Sequence, residues 1–74
     1  MKFTQKANTP YLYTNIRALC AAKGLSIAEL ERSAGLGNGV VRKWEAASPT
    51  LRSVVMVAEC LGTTVDALIQ PRET

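Results

Sequence analysis

Apolar residues recur along this chain at spacings of three and four, and their register breaks several times, which divides the chain into short helices. Leu12, Ile16, Leu19 and Cys20 share one face of a first helix that opens at Thr9-Pro10, a capping threonine followed by a first-turn proline. Lys23 and Gly24 supply its last-turn cation and left-handed stop. Ser26-Ile27-Ala28-Glu29 has the spacing of a capping box and opens a second helix. Ile27, Leu30 and Ala34 face inward on it, Glu29 and Arg32 face outward, and Gly35 closes it. After Leu36, a third helix is expected over Asn38–Ala46, with Gly37 or Asn38 as its cap. Thr50 caps a fourth helix, with Leu51, Val54, Val55, Ala58 and Leu61 on its core side and Gly62 at its end. Thr64 caps a fifth, Val65 to Ile69, which Gln70-Pro71 stops. No strand pattern of useful length and no repeat occurs. The pattern predicts an all-α domain of five helices over residues 9–70, flanked by an N-terminal arm, 1–8, and a C-terminal tail, 71–74.

The third helix sorts its side chains sharply. At about 100° per residue, Val41, Trp44 and Val40 fall on one arc, while Asn38, Gly39, Arg42, Lys43 and Ala46 fall on the other. Trp44 is read as core rather than as a base-stacking group. Val40, at the arc's edge, either joins the core or touches a thymine methyl. A short helix, a glycine-containing turn and a second helix with one polar, basic face describe a helix-turn-helix over about 26–46. The major groove of duplex DNA admits one α-helix, and base-reading groups must project from that helix's outer face. Here those groups are Asn38, Arg42 and Lys43, with Gly39 permitting close backbone approach.

Composition narrows the chemistry. The net charge of +3 is modest, but Lys2, Lys6, Arg17 and Lys23 all precede the first acid, Glu29, and Arg42 and Lys43 form a second basic focus. Charge alone leaves two readings, a solvated surface or an attraction to phosphate. The chain has no histidine, and its two cysteines, Cys20 and Cys60, are not a CxxC pair. Zinc-finger spacing and histidine-based triads are thereby removed, and both thiols are read as buried and structural. No paired carboxylates, nucleophile–base set or metal ligands point to an enzyme, and no cofactor or small-molecule ligand is implied. No apolar run approaches roughly eighteen residues, and MKFTQKANTP lacks a signal-peptide core, so a cytoplasmic protein is expected.

GLSIAELERSAGLGNGVVRKWE followed by SPTLRSVVMVAECLGTTVDALI resembles the Cro/lambda-repressor-type helix-turn-helix family, also called the Xre family. The landmarks are Gly24-Leu25-Ser26, Leu30, Gly35, Val41, Trp44-Glu45, Pro49, Leu51, Leu61-Gly62 and Val65-Asp66-x-Leu68, spread over Asn15 to Ile69. The resemblance implies a five-helix lambda-repressor-like domain and a sequence-specific regulator of transcription, commonly a homodimer on a palindrome. It implies a bacterial or phage-encoded repressor of the kind frequent in phages and mobile elements. It places base contacts at Asn38 and Gly39 and at Lys43, with Arg42 beside them. Phosphates are favoured near helix starts, which gives Ile27 (through its backbone), Gly37 and Thr50 as phosphate-contacting candidates.

The departures from the family pattern are as informative. Ile27 stands where many members carry a phosphate-binding glutamine. Cys20 stands where many carry an arginine paired to the acid at Glu45, which leaves Arg17 as a possible partner for Glu45. Glu31 replaces a usually small residue between the two motif helices, and either hydrogen-bonds across the turn or leans out to solvent. Gly37 and Gly39 flank Asn38 and weaken the helix start by about 1 kcal/mol. One consequence is a recognition helix that becomes regular only on DNA.

Met56, Val57 and Cys60 lie partly off the expected stripe of the fourth helix. With Leu68 and Ile69 they form a candidate dimer surface, unless the fifth helix and the N-terminal arm cover them within one chain. Two functions remain in view. The first is a homodimeric, double-stranded-DNA-binding transcriptional regulator. The alternative is a protein-interaction module, such as an antitoxin or adaptor, that uses the same fold.

Overall fold

The computed structural model describes residues 11–71. Among them are four α-helices, α1 (Leu12–Lys23), α2 (Ile27–Ala34), α3 (Leu51–Leu61) and α4 (Val65–Ile69), and a 3-10 helix, Arg42–Glu45, between α2 and α3. The all-α expectation holds, and of the five expected helices the third is the one that differs. The segment expected as a regular helix from Asn38 is a glycine-rich turn running into a single 3-10 turn. The expected first cap, Thr9-Pro10, and the arm before it lie outside the described residues, as does the tail beyond Pro71. No helix among the described residues is long and apolar enough to cross a membrane.

The helix ends follow their local chemistry. Ser26 accepts from the Glu29 N–H at 3.0 Å while the Glu29 carboxylate accepts from the Ser26 N–H at 2.8 Å, a complete capping box. That backbone hydrogen bond, aided by the serine hydroxyl, holds the Glu29 carboxyl below the ordinary carboxylate range. Thr50 and Thr64 cap α3 and α4 by accepting from the N–H groups of Ser53 and Ala67. At the C-terminal ends of α1 and α2, Gly24 (φ 69°) and Gly35 (φ 77°) turn the chain left-handed. Leu25 and Leu36 then donate back to the carbonyls of Cys20 and Glu31, each at 2.8 Å.

Leu12, Ile16 and Cys20 from α1, Leu30 and Ala34 from α2, and Val41 and Trp44 from the recognition segment close on Val54, Val57, Ala58 and Leu61 of α3 and Leu68 of α4. The α3 stripe is rotated from the one expected. It runs 54, 57, 58, 61, a regular i, i+3, i+4, i+7 face, while Leu51 is 70% exposed and Val55 also stands in solvent. Placing the stripe on Leu51 and Val55 had put Val57 on the outside. The structure corrects this, because α3 turns toward both α2 and α4 and the residues between those contacts are the buried ones.

Two polar side chains are buried with this core, Asn15 and Glu31, and the first ties α4 in place. Asn15 stands on the buried face of α1 between Leu12 and Ile16, only 4% exposed, and its Nδ2 donates to the carbonyls of Leu68 and Gln70, both at 2.7 Å. These carbonyls, the second on the C-cap residue, sit at the C-terminal end of α4, where no further helical turn supplies N–H donors to them. A helix of five residues is too short to persist alone, so its placement depends on Leu68 in the core and on this amide.

Asn15→Ala removes the donor and leaves the buried Leu68 carbonyl and the part-buried Gln70 carbonyl without it, so urea denaturation should show a loss of about 1–3 kcal/mol. A second expectation concerns pH. A carboxyl with a lowered pKa in the fold stabilises above its ordinary range and loses that contribution as pH falls through its folded value. The stability gap between the native chain and Glu29→Ala should therefore shrink as thermal melts are repeated from neutral pH down through the carboxylate range.

Candidate nucleic-acid interface

The segment between α2 and α3 has an inner and an outer side. Val41 is fully buried and Trp44 nearly so, and the tryptophan packs as core, as its position on the apolar arc requires. Val40 is half-buried against the same cluster. Arg42, Lys43 and Asn38 are exposed on the other side. The segment's backbone is held by a mixture of short and long turns: Trp44 donates to Val41 at 2.9 Å, Lys43 to Gly39 at 3.3 Å, and Ala47 to Lys43 at 2.9 Å. Mixed three- and four-residue bonding of this kind marks a tight, incompletely regular helix.

The irregularity traces to Gly37-Asn38-Gly39. Gly39 has φ 87°, a left-handed conformation that a helix does not use, so regular helix cannot begin at Asn38. Neither Gly37 nor Asn38 acts as the cap expected of it. The cap comes from α2 instead. The Glu31 side chain, 3% exposed, crosses the turn and accepts from the N–H groups of Gly39 and Val41, one on each carboxylate oxygen, both at 2.9 Å. Of the two readings left open for this residue, the structure selects the hydrogen bond across the turn.

A groove of about 320 Å³ opens beside this contact, lined by Tyr13, Ile27, Ala28, Glu31, Asn38, Gly39 and Arg42. An adjoining hollow of about 210 Å³ shares Ala28, Glu31 and Asn38 and adds Arg32 and Leu36. The start of α2, the turn and the first basic side chain thus border one concave surface. Ile27 begins α2, and Thr50 is the N-cap of α3. Gly37 is exposed in the turn. Arg17 lies over the Tyr13 ring, 5.8 Å from its centroid, and this ring, not Glu45, is the partner the structure gives it.

Two of the four candidate dimer contacts are corrected. Val57 and Leu68 are fully buried among the chain's own helices and present no surface to a second chain. Cys60 is exposed and Ile69 half-buried. The exposure of Cys60 also corrects its reading as a buried thiol, whereas Cys20 is buried and its thiol is pushed up by that burial.

Sequence reasoning left Tyr13 and Ala28 out of the site and left the role of Glu31 undecided. The signal for Glu31 was present in its spacing: Ile27, Leu30, Glu31 and Ala34 form one i, i+3, i+4, i+7 stripe, and an acid on such a stripe must find donors.

A model of the helix-turn-helix family matches residues 16–68, a span that includes α2, the turn, the basic segment, α3 and most of α4. No curated protein matches the chain closely enough to be set beside it.

Gly39→Ala tests the turn geometry directly. The space around a Cβ there is open, so steric crowding costs nothing. The left-handed backbone alone should lower stability by about 1–2 kcal/mol, read as a shift in the denaturation midpoint.

Proposed function

The chain belongs to the helix-turn-helix family of the Cro/lambda-repressor (Xre) type, a family of DNA-binding regulators, and from that premise we propose that it is a sequence-specific, double-stranded-DNA-binding repressor acting as a homodimer. One observation carries this reading: Arg42 and Lys43 stand exposed on a segment whose opposite side, Val41 and Trp44, is locked in the core. A basic face fixed to a rigid body is what a major-groove reader needs, because contacts to base edges require the reading groups at a defined height and angle.

In this reading Asn38 forms the paired hydrogen bonds that suit adenine, Lys43 and Arg42 reach guanine acceptors, and Gly39 brings the backbone close. The N–H groups near Ile27, Gly37 and Thr50 take phosphates and set the register without reading sequence. Two copies reading successive major grooves would place half-sites about 34–36 Å apart. Cys60 and Ile69 remain the candidate contacts between copies. No observation favours the interaction-module alternative.

Selection of bound sequences from a random duplex pool tests the proposal. The expected result is an enriched palindrome. An enriched single half-site would remove the homodimer and keep the reading face, and no enrichment would overturn sequence-specific binding. In the same assay Arg42→Ala with Lys43→Ala should abolish binding while stability moves by less than about 0.5 kcal/mol. Unchanged affinity would remove this face from the mechanism. Asn38→Ala should relax preference at one base position, at a cost of roughly 1–3 kcal/mol there.

A further inference from the structure

The residue that shapes the reading face is not on it. We propose that Glu31 is the positioning residue for base reading: by holding the N–H groups of Gly39 and Val41 on one buried carboxylate, it makes the choice between DNA sequences, and not the attraction to DNA, depend on a side chain of α2. The inference rests on the DNA-reading function proposed above.

Five observations support it. Both carboxylate oxygens of Glu31 are used, each accepting from a different N–H at 2.9 Å, so the side chain fixes two points of the turn at once. Those two points bracket Val40 and lie immediately after Asn38 and immediately before Arg42, the groups that would meet bases. Within Gly37-Asn38-Gly39 no side chain anchors the turn to the core, because Gly37 and Gly39 have none and Asn38 is exposed. The φ of 87° at Gly39 is a conformation in which the chain has little intrinsic preference to stay, and the bond to Glu31 holds it there. Glu31 itself rides on α2 between Leu30 and Ala34, both in the core, so the turn is referenced to the body of the domain.

The sign of the charge separates positioning from electrostatics. A carboxylate under a DNA-binding face repels phosphate, so an effect of charge alone would make its neutralisation strengthen binding to every duplex. A positioning role makes the opposite prediction for the preferred site. Glutamine keeps one acceptor and replaces the other with a donor, so it can hold only one of the two N–H groups.

The experiment compares the native chain with Glu31→Gln on the duplex selected from the random pool and on an unrelated duplex, with amide NMR of the free proteins. The expected result is a fall of about tenfold or more for the selected duplex, equivalent to losing one good base contact. Binding to the unrelated duplex should stay level or rise, and the Gly39 and Val41 amides should lose protection from exchange while the core amides keep theirs. Glu31→Ala, which leaves both N–H groups to water from the adjoining groove, should behave the same way and serves if the glutamine variant is unstable.

Equal gains on both duplexes would overturn the proposal in favour of a charge effect. Equal losses, or failure of both variants to fold, would assign Glu31 to stability alone and overturn it as well. A native chain that prefers no duplex would instead overturn the DNA-reading function, a failure visible before any variant is made.

Discussion

Two backbone N–H groups at the start of the basic segment, those of Gly39 and Val41, end on the single carboxylate of Glu31. A helix start exposes donors that ordinarily meet a serine, threonine or aspartate just before the first turn. Gly37-Asn38-Gly39 does not fill that role here, and an acid eight and ten residues earlier does. The arrangement buries a carboxylate in a domain with little interior to spare, which is tolerable because both oxygens are satisfied. The basic side chains, the buried tryptophan and the groove beside Tyr13 all take their places relative to that contact.

A second polar contact does for α4 what Glu31 does for the turn. Asn15 reaches from the first turn of α1 to carbonyls at the C-terminal end of α4, the shortest α-helix among the described residues. Between them, the two buried polar side chains tie down the two segments that local helix propensity secures least, a glycine turn and a five-residue helix. α2 and α3 need no such help, since a capping box and a threonine cap open them and the left-handed Gly35 and Gly62 close them locally.

Most of the architecture was legible from spacing because those local signals agree with the apolar periods. The Ser26 box, the Thr50 and Thr64 caps and the stops at Gly24, Gly35 and Gly62 all stand where the residues placed them. The basic face on Arg42 and Lys43 and the core side on Val41 and Trp44 were legible for the same reason. What spacing could not deliver was tertiary. The rotation of the α3 stripe depends on which neighbours that helix has, and a run of Leu51, Val54, Val55, Val57 and Ala58 fits more than one rotation. The left-handed Gly39 depends on a donor–acceptor match with another helix. Asn15 and Glu31 each occupy an apolar-stripe position, and a polar residue in that setting is a sign of a long-range bond whose partner only the fold identifies.

The bond between Asn15 and the Leu68 carbonyl spans 53 residues, nearly the whole described chain. Loop-closure cost rises with separation, so this contact is cheaper to form once α1, α2 and α3 are docked than in an open chain. During synthesis the part of the buried cluster that Leu68 supplies beside Leu12 and Ile16 is missing until α4 has been made, and the core is complete only then. The timing of completion is written at the final short helix, well away from the surface proposed to meet DNA.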